Sequence, residues 1–518
     1  MYPSHWAKIF PDKPAAIDSE TGESICYKEL DDRSMQLANL MRARGLVAGD
    51  TIAIFMENNL RYFEVIWAAL RSGLYLVTIN KFLTAEEAAY IANDSDARLL
   101  VSSRALAAVA DELPGLCPAC EFFLMTDGTT VEWESYEEAI ARHPAEILGE
   151  EPLGEFMWYS SGTTGHPKGV KRPLRKLSVN DARTPLGRMH RELWDFDEDT
   201  VAILPAPLYH SAPSGYAAST HKWGGTLVMM PRFDPEAALR AIETYKVTHG
   251  MWVPTMFIRM LKLPEDVRAR YDLSSLKNAV HSAAPCPLDV KKAMFAWWGD
   301  VLYELYGGTE LNGSTHATPQ EWLANPGTVG KPLFGIIHIC DDDGQELPAN
   351  EAGTVYFEMP TGVTFKYHKD DAKTKNALHP DHPNWSALGD VGYVNERGFL
   401  FLVDRKSFMI ISGGVNIYPQ EIEDLLIQHP AIEDVAVIGV PNEDMGEEVK
   451  AVVQLRDTEA PTEALAEDIM AFGRAKLAKY KWPRTIDFID ELPRLPTGKL
   501  YKNKLRDKYW GERALRIN

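Results

Sequence analysis

Tyr159-Ser160-Ser161-Gly162-Thr163-Thr164-Gly165-His166-Pro167-Lys168-Gly169-Val170 is the segment from which the rest of this chain is best approached. Just before it, Phe156-Met157-Trp158-Tyr159 predicts a short buried strand. The segment then changes to hydroxyls, glycines and one lysine. Glycine lets the backbone turn so that successive N–H groups converge on one anion, and Ser and Thr hydroxyls add neutral donors. A lysine at the edge supplies a point charge for a polyphosphate. Composition alone fits a plain Gly/Ser/Thr surface loop equally well, but the position directly after an apolar strand favours phosphate binding. The segment is not the common P-loop, which needs Gly-Lys-Ser/Thr opening a helix. Here Pro167 precedes Lys168 and Gly169 follows it.

Length and composition set the frame. A chain of 518 residues exceeds what one core supports and predicts at least two domains. Its 45% hydrophobic and 25% charged residues are ordinary for a globular protein. A net charge of −20 argues against nucleic acid or an anionic membrane as the main partner. No stretch approaches the roughly 18 apolar residues of a membrane span. Met1-Tyr2-Pro3-Ser4-His5-Trp6 has neither the basic nor the apolar region of a signal peptide. Five cysteines are an odd, sparse set. Cys117 and Cys120 have zinc or redox spacing but no second pair, so a cytoplasmic protein with reduced thiols is expected.

Strand and helix signals alternate along residues 1–150. Thr51–Met56, Leu76–Ile79, Leu99–Val101 and Phe122–Met125 predict strands, and Leu60–Arg71 and Thr84–Ala92 predict helices. That rhythm predicts parallel α/β structure. Further strands are expected over Val201–His210, which ends in a proline-rich turn, at Leu227–Met230, His249–Pro254 and Val301–Leu305, and as a strand and turn over Val280–Pro285. Beyond Arg405 the chain restarts as a compact unit, with Pro419 opening a helix. The expected organisation is therefore a large α/β domain over 1–405, with mixed and parallel sheets flanked by helices. A small mobile α+β domain would follow over 406–518.

Two more segments carry chemistry. Tyr306-Gly307-Gly308-Thr309-Glu310 follows a strand, where open α/β sheets bind ligands. Tyr306 can stack on a purine, Thr309 can donate to a phosphate, and Glu310 can take a hard cation. Gly389-Asp390-Val391-Gly392 precedes Phe401-Leu402-Val403-Asp404-Arg405. Asp390 can accept from a ribose diol with Arg405 reinforcing the contact; a structural Asp turn is the alternative for the first four residues alone.

Together these segments resemble the adenylate-forming enzymes: acyl-CoA synthetases, adenylation domains and luciferases. The order Ser-Ser-Gly-Thr-Thr-Gly-x-Pro-Lys-Gly matches that family's phosphate loop, and five motifs follow one another in its order over essentially the whole chain. The resemblance implies that Ser160, Ser161, Gly162, Thr163, Thr164, Gly165 and Lys168 bind ATP phosphates. Ser282, Ala283 and Ala284 would border adenine with Tyr306 and Gly307, on a turn that relatives make richer in glycine. Asp390 and Arg405 would hold the ribose, and Glu310 would hold Mg2+. His210, Trp252 and Gly308 would border the acyl pocket, although a strand-end histidine is commonly structural and Trp252 suits a core equally well. Gly413 and Gly414 would line the passage for coenzyme A. Lys406 or Ser407 would be the hinge, where relatives carry Asp or Lys. Lys499, on a Pro-Thr-Gly turn where a solvated charge is the ordinary expectation, would bridge carboxylate and α-phosphate. The implied catalytic set is Lys499, Thr309, Glu310 and His210.

The implied activity is a ligase that uses ATP and coenzyme A to activate a small-molecule carboxylic acid. Residues 208–215 contain no acidic side chain to pair a substrate ammonium, and an unpaired buried ammonium is costly, so an amino acid is disfavoured. Trp223, Trp252 and Met256 favour a hydrophobic acid, with medium- or long-chain fatty acids first and aryl or polycyclic acids second. Loading of a carrier protein is the alternative thiol chemistry. The segment from Glu310 to Asp390 shows no extra block of the kind that carrier-specific relatives carry, which favours coenzyme A. A non-catalytic nucleotide-binding protein of the same fold is the remaining alternative, and the presence of Lys499 and Glu310 speaks against it. Oligomeric state is open, with a homodimer among the options.

Overall fold

The structure is a computed structural model that describes residues 2–147, 149–160, 167–181, 185–413, 415–442, 444–494 and 500–510. It divides into two compact units. The first comprises the chain up to Ser282 with Val290–Leu311 and Thr364–Asn376; the second comprises Ala283–Asp289, Asn312–Val363 and the chain from Ala377 onward.

In the first unit, the alternating signals of the N-terminal region give a wholly parallel six-stranded sheet. Its order is Glu134–Ser135, Phe122–Thr126, Ala97–Ser103, Thr51–Phe55, Tyr75–Thr78 and Glu155–Phe156. The central strand Thr51–Phe55 is buried at every position, so it reads as an unbroken apolar run. The helix Ala85–Asp94 begins where the sequence places it: the Thr84 hydroxyl accepts from the Glu87 N–H, and the Glu87 carboxylate accepts from the Thr84 N–H.

A second sheet of this unit runs in the order Leu302–Gly307, Asn278–His281, His249–Trp252, Val201–Leu204, Thr226–Met229, Pro14–Asp18 and Ser24–Cys26. The pairings from Pro14–Asp18 through Leu302–Gly307 are parallel, and Ser24–Cys26 is antiparallel to Pro14–Asp18. Between the two sheets lies one continuous core containing Ile52, Ile54, Phe63, Leu76, Leu204, Tyr216, Met251 and Val280. Burying each such side chain contributes about 1.5–3 kcal/mol. A small antiparallel sheet joins Trp158–Ser160, Lys168–Lys171 and Lys366–Tyr367.

The second unit contains a four-stranded antiparallel sheet ordered Ile336–Cys340, Gly353–Glu358, Trp385–Val394 and Leu400–Arg405. It also contains the C-terminal sheet, in which Ile432–Asn442 pairs with Gly446–Leu455 and Thr485–Ile489 runs parallel to the latter. The helix Pro419–Leu426 has proline in its first turn, as expected. Among the described residues no helix is long and apolar enough to cross a membrane. Cys117 and Cys120 are buried, and burial pushes their thiols up to about 11 and about 12.

Candidate nucleotide and acyl site

The strands on either side of the glycine-rich segment are antiparallel, with Lys168 opposite Ser160 and Gly169 opposite Tyr159. Gly169 serves packing at this point. A Cβ there would lie 2.6 Å from the Met157 methyl and 2.9 Å from the Tyr159 ring, closer than real contacts. The Tyr159 hydroxyl donates to Asp94 at 2.7 Å, and burial pushes that hydroxyl far above its ordinary range. Ser161, Gly162, Thr163, Thr164 and Gly165 lie outside the described residues, as do Gly414 and Lys499. For Ser160 and Lys406 only the backbone is described.

Lys168 stands 3.2 Å from Asp370 in an ion pair, and this contact raises the lysine above its ordinary value. Asp370 belongs to the segment Thr364–Asn376, which the sequence reading passed over. The same segment supplies Tyr367, whose hydroxyl donates to Glu310 Oε1 at 2.8 Å. Lys369 anchors it by donating to the Asp94 carbonyl and to Asp96, both at 2.8 Å. Thus one short strap meets both the lysine expected to bind phosphate and the glutamate expected to bind metal. The charged run His368-Lys369-Asp370-Asp371, between two recognisable motifs, was the available signal.

Tyr306 and Gly307 end the strand Leu302–Gly307, and Gly308 and Thr309 follow half-buried. Glu310 is buried at 7% exposure. Its hard oxygens, out of bulk water and holding a neutral hydroxyl donor, fit a divalent cation. Among the described residues no group of three or more His, Cys, Asp or Glu side chains is placed to hold a metal. Such a cation would complete its shell from substrate phosphates and water, as magnesium usually does.

Beneath the strand end, Trp252, His281 and Glu304 sit side by side on neighbouring strands. Lys291 pairs with Glu304 at 2.5 Å, and His281 Nε2 is 3.5 Å from the same carboxylate. Burial, first of all, pushes His281 down and Glu304 up. This row faces Phe257 and Trp298, whose rings lie 6.2 and 5.2 Å from that of Trp252. Side chains alternate faces along a strand, so Met251 takes the opposite side. Met251 joins the core that also holds Tyr216 and Ala217 of the helix Ser211–Lys222. Of the two readings left open for Trp252, its packing is that of a core residue.

His210 precedes that helix, and its ring stacks obliquely on Tyr209 at 4.4 Å. The Ser282 N–H donates to the Trp252 carbonyl at 3.2 Å. Ala283 adopts φ +74°, in the left-handed region that favours glycine. The turn keeps a glycine-like backbone although its residue carries a Cβ. Ala284 beside it is half-buried.

In the second unit, Asp390 and Arg405 face each other across adjacent strands. The Arg405 Nε donates to Asp390 Oδ1 at 3.0 Å, with Asp390 only 7% exposed. The next residue, Lys406, opens a short 3-10 turn to Phe408, and the Ser407 carbonyl accepts from Arg506 at 3.0 Å. Gly413 has φ +56°, and a Cβ there would lie 2.4 Å from the Met445 methyl.

Comparison with known proteins gives matches over nearly the whole chain. Residues 4–368 match the model of the AMP-binding enzyme family, and residues 421–499 match the AMP-binding enzyme C-terminal domain. A fatty acid–[acyl-carrier-protein] ligase, ScoC of Streptomyces coeruleorubidus, is 29% identical, covering 99% of this chain and 97% of the relative. A feruloyl-CoA synthase of an Amycolatopsis species is 31% identical over 94% of each chain. The crystal structure of the anthranilate CoA ligase AuaEII with anthranoyl-AMP superimposes with a TM-score of 0.84 at 26% identity, covering 99% of this chain and 98% of that one.

Proposed function

We propose that this chain, which belongs to the AMP-binding enzyme family, is an AMP-forming carboxylic acid–CoA ligase acting on a hydrophobic acid, with a medium- or long-chain fatty acid as the foremost candidate. The observation that carries this reading is the match to both family models, with the chain's own motifs falling in their expected order.

A carboxylate is a poor electrophile because its leaving group would be oxide. In the first half-reaction a carboxylate oxygen attacks the α-phosphorus of ATP, the bond to the bridging oxygen breaks, and pyrophosphate leaves. No general base is needed, since the acid is already ionised with a pKa of about 4 to 5. Two anions must meet, so the site's task is electrostatic and positional. Lys499, Lys168, the Thr309 hydroxyl and the 160–165 segment supply donors around the phosphates. Tyr306 and Gly307 with the Ser282–Ala284 turn take the adenine, and Asp390 with Arg405 takes the ribose. Glu310 would hold Mg2+, which would supply positive charge to neutralise the phosphates.

In the second half-reaction the coenzyme A thiolate attacks the acyl carbon, and AMP leaves. We place a mobile small domain beyond Arg405, with Lys406 or Ser407 as its hinge, so that Lys499 withdraws and Gly413 and Gly414 come to line the passage of the thiol. The acyl pocket is assigned to the side of the sheet occupied by the helix Ser211–Lys222, with His210 and Gly308 at its border. The cysteine pattern and charge belong with a cytoplasmic enzyme.

An aryl acid is the second reading, favoured by the feruloyl-CoA synthase relative at 31% identity. The test is mass spectrometry of products from ATP, Mg2+, coenzyme A and a graded panel of fatty, aryl and polycyclic acids. Acyl-CoA with fatty acids of one length range is the expected result. Product with aryl acids alone moves the substrate class, and acyl-AMP accumulating without thioester moves the acceptor to a carrier protein.

A further inference from the structure

The segment Thr364–Asn376 contains Lys373, whose charge none of the steps above uses. The Lys373 ammonium lies 4.4 Å from the centre of the Tyr367 ring, the ring whose hydroxyl holds Glu310. It is half-buried, and among the described residues it has no hydrogen-bond or ion-pair partner. The charges that act on it are those of Glu310, Asp370 and Lys168. Burial is the main influence and pushes this ammonium down from its ordinary value. An ammonium that gives up water without gaining a counter-ion carries a cost that a ligand anion would repay.

We propose that Lys373 is a second phosphate-binding lysine, contacting the β- and γ-phosphates of ATP and, after adenylation, the pyrophosphate product. The inference rests on the AMP-forming reading and adds a binding residue to it. The placement follows from its neighbours. On that reading Glu310 would hold the cation and Lys168 would hold phosphate, so a charge that acts on both would meet the polyphosphate end of ATP.

Asp370 pairs Lys168 at 3.2 Å, whereas Glu310 acts on Lys373 through space with no ion pair between them among the described residues. With MgATP bound, Glu310 would hold the cation and Lys168 the phosphates, which would leave the Lys373 ammonium to pair with phosphate oxygens. A lysine that served only to offset Glu310 would act in the opposite sense, because removing it would free the carboxylate for Mg2+ and tighten MgATP binding.

The test is calorimetric titration of the full chain, without acid or coenzyme A, using AMP, ATP and pyrophosphate in turn, each with Mg2+. Wild type, Lys373→Ala and Lys373→Arg are compared, with Lys373→Met replacing the alanine variant if that fails to fold. Loss of one charge-assisted hydrogen bond predicts ATP and pyrophosphate binding weakened by about 10- to 100-fold in Lys373→Ala. AMP binding stays within about twofold, and arginine restores most of the loss. Unchanged or tighter ATP and pyrophosphate binding overturns the inference, as does an equal loss of AMP, which would mark a structural role. A wild-type protein that binds neither AMP nor ATP overturns the AMP-forming reading itself.

Discussion

Glu310 and Asp390 are both 7% exposed, yet they are held by opposite kinds of partner. Glu310 receives the neutral hydroxyl of Tyr367 at 2.8 Å, whereas Asp390 receives the guanidinium of Arg405 at 3.0 Å. A hydroxyl fixes the carboxylate without cancelling its charge, which suits a cation. A guanidinium matches the charge and leaves lone pairs for neutral donors, which suits a ribose diol. Under the proposed function, the charge of the residue that orients each buried acid would sort the two acids into two tasks.

The largest expected effect comes from the charge outside both carboxylates. Lys499→Ala should reduce adenylation by about 10³-fold, the upper range for removing a donor to a developing negative charge. Thioester formation from supplied acyl-AMP should persist. Equal loss of both half-reactions would show that Lys499 does not divide them.

Next, Glu310→Gln keeps shape and the Tyr367 contact but removes charge. Adenylation should fall by about 10²-fold with a raised Mg2+ requirement, a loss of roughly 2.7 kcal/mol. The corresponding Asp390→Asn change should raise KM for ATP by about 10-fold and leave KM for the acid unchanged. If the Mg2+ requirement moves with Asp390 and not with Glu310, the sorting is reversed.

A smaller effect tests the orienting partner. Tyr367→Phe removes one neutral donor that orients the Glu310 carboxylate; at a net effect of about 1 kcal/mol, activity at limiting Mg2+ should fall about fivefold. An unaffected Mg2+ titration would make the contact incidental. Smallest is Ala283→Gly. Left-handed backbone costs a non-glycine residue about 1–2 kcal/mol, and the flexibility of glycine in the unfolded chain takes back about 0.5–1. Denaturant unfolding should show a gain of about 0.5 kcal/mol, and a loss would mean that the alanine methyl earns its place by packing.

The sequence made the parallel N-terminal sheet plain because its strands are short apolar runs separated by capped helices, as at Thr84. It singled out Glu310, Asp390 and Arg405 because each stands inside a motif. It could not decide the face of Trp252, since that depends on pleat parity, which a short apolar run such as His249–Trp252 leaves open. Nor did it reveal that Gly169 packs closely against Met157 and Tyr159, a contact made only after strand pairing. The strap Thr364–Asn376 was missed for the same reason. Tyr367 and Lys373 carry no pattern of their own, and the charged run around Asp370 acquires meaning only when pairing with Lys168–Lys171 brings the strap beside Lys168 and Glu310.

The most direct test of the central claim is acid-dependent exchange of labelled pyrophosphate into ATP, run with a responsive acid and followed by product analysis with coenzyme A. An AMP-forming ligase exchanges pyrophosphate only when its acid is present, and then yields acyl-CoA with AMP in equal amounts. ADP as the nucleotide product, or exchange indifferent to the acid, would contradict the assignment.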